Sequence, residues 1–362
     1  MTKNVPVANL PIRQWSQLNT GSSPSKGKIN SKTSSSTDIN KSTTKGKKNL
    51  KRTSSDSIDE LRSLLESSDE EGETEAEYKI GERGMSKTEK TLVQQLERLF
   101  YDTKSTTIQE LRVYYNHPDR QACKDAKLCE RIFTVDYLYR YVQIAVDNMY
   151  AKLVHFTLNI VCLNYLRGLP EPNVMTVEES LEAFYQWCDF NKWDPQKFIK
   201  DLVVVLNKTY NKKNTFYLYG ESNSGKTFML LEPMRQLFKF VGRTAQLNST
   251  SMFVFEGLLR QRLICLEEAQ CDPMHLETMK LIMAGEECLI NVKGGQSVVL
   301  KRTPVLIATN NQVWRYKIDE ELAFRNRCQY YECSSWNVLD NDYIKQHSFN
   351  PEAYILLFNK YK

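Results

Sequence analysis

The sequence contains no run of 18 apolar residues, the length that a membrane-spanning helix needs. Its most apolar segment, 151–166, is interrupted by Lys152, His155, Asn159 and Asn164. The first fifteen residues also lack the apolar core of a secretory signal. We therefore expect neither a signal peptide nor a membrane partner.

Paired cysteine motifs are also missing. The chain has nine cysteines, an odd number, and no two of them form a C-x-x-C pair. Because disulfide frameworks and zinc sites use closely spaced pairs, this pattern favours a reducing compartment, the cytosol or the nucleus.

Charge is distributed unevenly over the 362 residues, although the net charge is only +5. Residues 1–55 hold eleven Lys or Arg and a single acid, whereas residues 56–77 hold ten acids and a single base. Neither stretch has enough apolar side chains to offset the entropy lost on folding. We predict a disordered arm over 1–87, basic and then acidic.

The basic run at 45–52 of this arm is typical of a nuclear-import signal. It equally suits an arm that binds phosphate, or a plain solvated tail. The import reading predicts that the protein acts in the host nucleus.

The spacing of apolar residues divides the remaining chain into a helical region and an α/β region. Apolar residues at helical spacing over 88–175 predict a helical bundle, to which we assign oligomerisation. Helices are also predicted at 178–188 and 194–206, the latter capped by Asp194 with Pro195 at its first position. Short apolar runs at 216–219, 263–266 and 305–308 predict buried strands of a parallel α/β sheet. We place an ATPase domain at 176–335 and a C-terminal extension at 336–362.

A phosphate-binding loop follows the first of these strands. The loop reads G-x-x-x-x-G-K-[ST], with a strand before it and a helix after it. Its glycines permit a tight turn, its lysine contacts the β- and γ-phosphates of ATP, and its hydroxyl binds Mg²⁺. The predicted nucleotide-binding residues are Gly220, Glu221, Ser222, Asn223, Ser224, Gly225, Lys226 and Thr227.

Two acids end the second strand. Glu267 and Glu268 follow four apolar residues, about forty positions after Lys226, which is a Walker B pattern. We assign Glu267 together with Thr227 to Mg²⁺, and Glu268 to the attacking water, with overlapping roles left open. The third strand ends at Asn310, which either orients this water or simply forms a turn.

Together these motifs resemble superfamily 3 helicases, and in particular the large non-structural replication (initiator) protein of parvoviruses and densoviruses. The resemblance rests on GESNSGKT at 220–227, LICLEE at 263–268, the segment 276–311 and AFRNRC at 323–328. It implies an AAA+-like P-loop NTPase with a central parallel sheet, preceded here by the helical bundle and the disordered arm.

The resemblance also implies roles for single residues. Asn310 matches the sensor asparagine, and Arg327 the arginine finger that reaches the ATP of a neighbouring subunit, with Arg325 as second choice. Lys293 matches the lysine on a hairpin that grips DNA in the ring channel. Lys280 matches the lysine at the start of that segment.

One part of the family pattern is missing. Full-length members carry a nickase with a metal-binding His-x-His pair, whereas the four histidines here are nowhere two residues apart. We therefore expect no nicking by this chain, and a separate nickase or host replication proteins as partners.

These observations predict an ATP- and Mg²⁺-dependent DNA helicase of viral genome replication, a hexameric ring on single-stranded DNA. Two other readings remain open: a superfamily 3 helicase of an RNA virus, and an ATP-driven assembly, packaging or regulatory protein that does not unwind.

Overall fold

The computed structural model describes residues 85–116, 126–134, 138–167, 173–244, 247, 250–336 and 342–361. Nearly all of the predicted arm, including its basic run at 45–52, lies outside these residues. In the described part, no helix combines the length and apolar character that crossing a bilayer requires.

Five helices build the first half of the described chain. They are α1 (Lys87–Asp102), α2 (Ile108–Tyr115), α3 (Ala126–Thr134), α4 (Tyr139–Leu153) and α5 (Leu158–Leu166). α1 begins at a capping box in which Ser86 and Glu89 satisfy each other's backbone N–H groups. Its apolar face packs on α4, and α1 to α4 share a core that includes Phe240 from the next domain. Helices thus form within the region where periodicity predicts them, and its assignment to oligomerisation stays a prediction.

The two helices before the sheet also form as predicted. α6 (Val177–Phe190) starts at the capping box of Thr176 and Glu179. α7 (Pro195–Leu206) has Asp194 as its N-cap and Pro195 at its first position.

A five-stranded parallel sheet forms the centre of the second half. Its strands are β1 (Thr215–Gly220), β2 (Val241–Gly242), β3 (Leu263–Glu267), β6 (Val305–Thr309) and β7 (Cys328–Cys333), in the order β2-β3-β6-β1-β7. The three strands predicted from apolar runs are β1, β3 and β6, and all neighbours pair in parallel. The carboxyl ends of β1, β3 and β6 therefore meet at one edge, where ligands bind in open α/β sheets.

The remaining elements flank this sheet. A π-helical segment, Lys226–Leu231, continues into α8 (Glu232–Phe238), and α9 (Leu276–Ala284) leads to an antiparallel hairpin of β4 (Cys288–Ile290) and β5 (Val298–Leu300). α10 (Glu321–Arg325) precedes β7, and α11 (Asp342–Gln346) and α12 (Pro351–Lys360) follow it.

Alternate residues of each strand belong to two different cores. On β1, Phe216 and Leu218 pack with α5 to α8 and α12, whereas Tyr217 packs with α9 and the hairpin. The result is a three-layer α/β/α domain, which confirms the predicted fold class.

The first of these cores crosses two of the boundaries that we predicted. It contains Leu158 to Leu166 of the helical region and Tyr354 to Phe358 of the C-terminal extension. The hydroxyl of Tyr354 donates a hydrogen bond of 2.7 Å to the Met229 carbonyl, next to the phosphate loop. α5 and α12 are therefore built into the ATPase core, although the predicted segments placed them outside it.

Candidate nucleotide-binding site

The phosphate loop leaves β1 at a point where only glycine fits. A Cβ atom on Gly220 would lie 2.0 Å from the Cys333 carbonyl oxygen on the neighbouring strand β7. At the other end of the loop, Gly225 has φ +87°, a left-handed conformation that suits glycine. The loop thus turns sharply between the strand and the helix that begins at Lys226.

Two tryptophans hold the loop from outside. The indole N–H of the buried Trp187, on α6, donates a 2.8 Å hydrogen bond to the Ser224 carbonyl. A Cβ on Gly225 would lie 2.9 Å from the same indole nitrogen. The backbone N–H of Trp336 donates to the Asn223 carbonyl at 2.8 Å. Sequence periodicity assigns Trp187 to a helix face but does not reveal this contact.

The Lys226 side chain lies inside the loop. Its ammonium donates to the carbonyls of Gly220 (2.8 Å) and Glu221 (2.6 Å) and to Ser224 Oγ (2.8 Å). A fourth bond of 2.9 Å reaches Asn310 Oδ1. Burial lowers the pKa of this ammonium, while the nearby Cys333 and Glu268 oppose the shift. Phosphate oxygens are stronger acceptors than these carbonyls and would compete for the same protons.

Asn310 joins two strand ends to the loop. Strand β6 lies between β1 and β3, so the residue that follows it reaches both sides. The amide Nδ2 of Asn310 donates to Ser222 Oγ at 3.1 Å, and its backbone N–H donates to Glu268 Oε2 at 3.3 Å. Asn310 is therefore in hydrogen-bond contact with the loop and with the acidic pair, and not merely part of a turn.

The two adjacent acids point in different directions. Glu267 continues the alternation of β3 and shares the face of Cys265, which packs towards the phosphate-loop helix. Its carboxylate is hydrogen-bonded to the guanidinium of Arg235 on α8. Glu268 has φ +46° and turns away from the strand, which brings its carboxylate to Asn310. Sequence reasoning missed Arg235, whose only signal is a cation among the apolar residues of α8.

The site has ligands of the right type for Mg²⁺. The Thr227 hydroxyl and the carboxylates of Glu267 and Glu268 offer the oxygen atoms that this ion prefers. Within the described ranges, no three His, Cys, Asp or Glu residues form a metal cage. In nucleotide sites Mg²⁺ is held by phosphates together with one or two carboxylates.

Arg327 lies where the strands of the sheet begin, at the end opposite to the phosphate loop. It directly precedes β7, whose first residue Cys328 is aligned with Thr215 at the start of β1. The six residues of β1 separate this end from Gly220 by about 17 Å. Arg327 donates to the Ala323 carbonyl at 2.5 Å. At this distance Arg327 does not contact the phosphate loop of its own chain, and its role as an arginine finger stays a prediction.

Arg325, the second choice for the same role, is held by its own subunit. Its guanidinium pairs with Glu321 at 2.6 Å and lies 4.0 Å from the centre of the Tyr330 ring. Both arginines thus contact groups of their own subunit, and the choice of Arg327 as the arginine finger stays a prediction.

The hairpin carries Lys293 at an exposed tip. Residues 291–297 connect β4 and β5, and Gly294 within them has φ +71° with nothing within 4 Å of an added Cβ. The Lys293 side chain is exposed, and its backbone N–H donates to Glu256 Oε2 at 3.4 Å.

Lys280 lies elsewhere, on α9. Its ammonium is paired with Glu277 at 2.7 Å and Glu320 at 3.0 Å, and the side chain is only 12% exposed. Hydrogen bonding to these carboxylates raises its pKa. The structure thus gives Lys280 two carboxylate partners, and its predicted contact with DNA stays a prediction.

The family model for the parvovirus non-structural protein NS1 matches residues 153–333, half of the chain. The chain belongs to this family. The match covers β1 to β7, and so includes the phosphate loop, both acids and Asn310.

Individual NS1 relatives match over the same region. The initiator protein NS1 of Diatraea saccharalis densovirus is 30% identical over 166 residues, which cover 46% of this chain and 29% of that protein. The initiator protein NS1 of Primate bocaparvovirus 1 is 36% identical over 156 residues, 43% of this chain and 19% of that protein. The matched region thus spans less than a third of either relative.

A solved structure shares the fold. The crystal structure of JCV helicase with a bound small molecule aligns with a TM-score of 0.52 and 14% sequence identity, covering 75% of this chain and 86% of the helicase. At this identity the likeness establishes the α/β fold of a P-loop NTPase.

Proposed function

We propose that this NS1-family chain is an ATP-dependent DNA helicase of viral genome replication. The observation that carries the proposal is the meeting of Lys226, Asn310 and Glu268 at the carboxyl edge of the sheet. These are a phosphate-binding cation, a polar amide and a carboxylate, the groups that hydrolysis of a nucleoside triphosphate requires. NS1 membership and the fold shared with JCV helicase support the same function.

The mechanism assigns a task to each group. Backbone N–H groups of the loop and the start of the following helix bind the phosphates, and the Lys226 ammonium exchanges its carbonyl partners for phosphate oxygens. Thr227 and Glu267 would hold Mg²⁺, which would neutralise charge on the phosphates. Glu268 would accept a proton from the attacking water, and Asn310 would orient that water.

Ring action would explain the remaining residues. Arg327 would stabilise transition-state charge at the nucleotide of the next subunit, which makes hydrolysis depend on assembly into a ring, proposed here as a hexamer. Lys293 on its exposed hairpin would contact the phosphates of single-stranded DNA without reading bases. The helical region would help to hold the ring together.

The test is ATP hydrolysis by the full chain with single-stranded DNA, with single-stranded RNA and with neither, using Glu268→Gln as the control. Stimulation by DNA that is lost in Glu268→Gln is expected and would justify an unwinding assay on a forked duplex. Stimulation by RNA alone would favour an RNA-virus helicase. Hydrolysis indifferent to both would favour an assembly, packaging or regulatory ATPase.

Two further proposals concern the rest of the chain. Residues 45–52 would direct the protein to the host nucleus, which a fluorescent reporter carrying this segment tests.

Nicking of the replication origin would be carried out by a separate nickase or host protein, with which the chain would act. Cleavage of an origin duplex by the purified chain alone would overturn this second proposal.

A further inference from the structure

The two adjacent acids at the end of β3 pose an electrostatic problem. Glu267 and Glu268 are neighbours in sequence, and the proposed function places a triphosphate beside them. The two carboxylates and the phosphates all carry negative charge and repel one another. A cation that binds only one of the two carboxylates would both relieve the repulsion and give that carboxylate a fixed direction.

Arg235 is such a cation. It lies on α8, and its Nη1 donates to Glu267 Oε1, whereas Glu268 turns to Asn310. The Arg235 side chain is only 14% exposed, and Cys265 lies on the same face of β3 as Glu267. The other carboxylate close to Arg235 is Glu232, one turn earlier on the same helix, at 3.7 Å.

The position of Arg235 ties the acid to the phosphate loop. α8 continues without a break from the π-helical segment that begins at Lys226 and includes Thr227. One helical unit therefore carries the hydroxyl expected at the magnesium ion and the guanidinium that holds the carboxylate expected there. A shift of this unit would move both groups together.

We propose that Arg235 is a positioning residue for magnesium binding. It fixes the Glu267 carboxylate at the end of β3, on the face of the sheet that carries the phosphate-loop helix. This inference rests on the proposed function, because it needs a nucleotide and its Mg²⁺ at the loop. In this arrangement the Glu267 carboxylate binds the magnesium ion, and the Glu268 carboxylate accepts the proton of the attacking water.

A purely stabilising role explains the pair less well. Glu267 is 42% exposed, and ion pairs open to water contribute little to stability. The Arg235 side chain is mostly shielded from water, and its Nε atom is buried with no hydrogen-bond partner among the described residues. The guanidinium is thus held at some cost beside a carboxylate of the site.

The experiment measures ATP affinity of the full chain by calorimetry, in excess Mg²⁺ and in EDTA. We define the magnesium advantage as the dissociation constant in EDTA divided by the dissociation constant in excess Mg²⁺. Arg235→Gln is expected to reduce this advantage about 10- to 100-fold, the usual effect of losing a group that orients a metal ligand. Its affinity in EDTA should stay near wild type, because the loop still holds the phosphates. Arg235→Lys should recover part of the loss, since it keeps a cation.

Two further variants make the test specific. Glu267→Gln should lose the same advantage, and adding Arg235→Gln to it should cause no additional loss. Arg260→Gln is the matched control, because Arg260 pairs with Asp147 on α4. An unchanged magnesium advantage in Arg235→Gln would overturn the inference.

Misfolding and failure of the proposed function give different results. If Arg235→Gln also binds ATP more weakly in EDTA, the Arg235→Lys variant distinguishes the two explanations. The positioning role is supported if Arg235→Lys binds ATP normally in EDTA but has a reduced magnesium advantage. If Arg235→Lys loses both its affinity in EDTA and its magnesium advantage, Arg235 only maintains the fold. A wild-type chain that binds no ATP in either buffer would instead contradict the proposed function itself.

Discussion

The Lys226 ammonium donates a 2.9 Å hydrogen bond to Asn310 Oδ1 and so joins the phosphate loop to the end of β6. The same ammonium holds two loop carbonyls. Lys226→Ala should abolish measurable ATP binding, because it removes the phosphate-binding cation and its hydrogen bonds to the loop. Equilibrium binding of a fluorescent ATP analogue is the measurement. Lys212→Ala, at an exposed lysine before β1, is the control, and retained affinity in Lys226→Ala would remove the loop from the site.

Trp187 should contribute to the stability of the loop through its indole N–H. Trp187→Phe keeps an aromatic ring in the core but leaves the Ser224 carbonyl without this donor. We expect the free energy of unfolding to fall by about 1–3 kcal/mol, the usual effect of an unsatisfied buried group together with the smaller ring. Urea unfolding measures the loss. An ATP affinity that falls with it would show that the indole shapes the loop, whereas unchanged stability would contradict the contact.

Lys293→Ala should separate hydrolysis from its response to DNA. The hairpin tip is exposed and remote from the loop, so basal ATP hydrolysis should remain within about twofold of wild type. Stimulation by single-stranded DNA should disappear, because each subunit of the proposed ring would lose a phosphate contact. Gly295→Ala, two residues along the same tip, is the control. Full stimulation of Lys293→Ala would remove the hairpin from the DNA contact.

Arg327→Ala should inactivate a neighbour and not its own site. Because Arg327 lies at the amino end of β7, its subunit should still bind ATP normally. Hydrolysis should fall about 10³-fold or more, as on loss of an arginine finger. Mixing Arg327→Ala with Lys226→Ala subunits should restore part of the activity, since each supplies what the other lacks. Mixed rings without any recovery would show that the arginine does not act between subunits.

The sequence predicted the three strands around the candidate site well. β1, β3 and β6 were found within one residue at each end, because buried strands of a parallel sheet read as continuous apolar runs. The strand–loop–helix context then located the loop, and the carboxyl ends of the strands brought Glu268 and Asn310 to it.

The sequence did not predict the outer strands β2 and β7 or the last helix, α12, and each omission has a physical reason. β7 reads CQYYEC and has no aliphatic run; it pairs with β1 over six residues, and Tyr331 stacks on Phe216 with ring centres 5.1 Å apart. β2 has only two residues. α12 does carry a local signal, since Asn350 caps it and Pro351 stands at its first position. Its place in the ATPase core depends on tertiary contacts that no local pattern encodes.

The contact between Tyr354 and Met229 also has a consequence for synthesis. These residues are 125 positions apart, yet their hydrogen bond holds the helix that follows the phosphate loop. At about 5–20 residues per second, a ribosome needs roughly 6–25 s to add the intervening chain. During that interval the loop sequence has already been translated, but its outer support does not exist. A nascent chain should therefore become able to hold nucleotide only after residue 354 has left the exit tunnel.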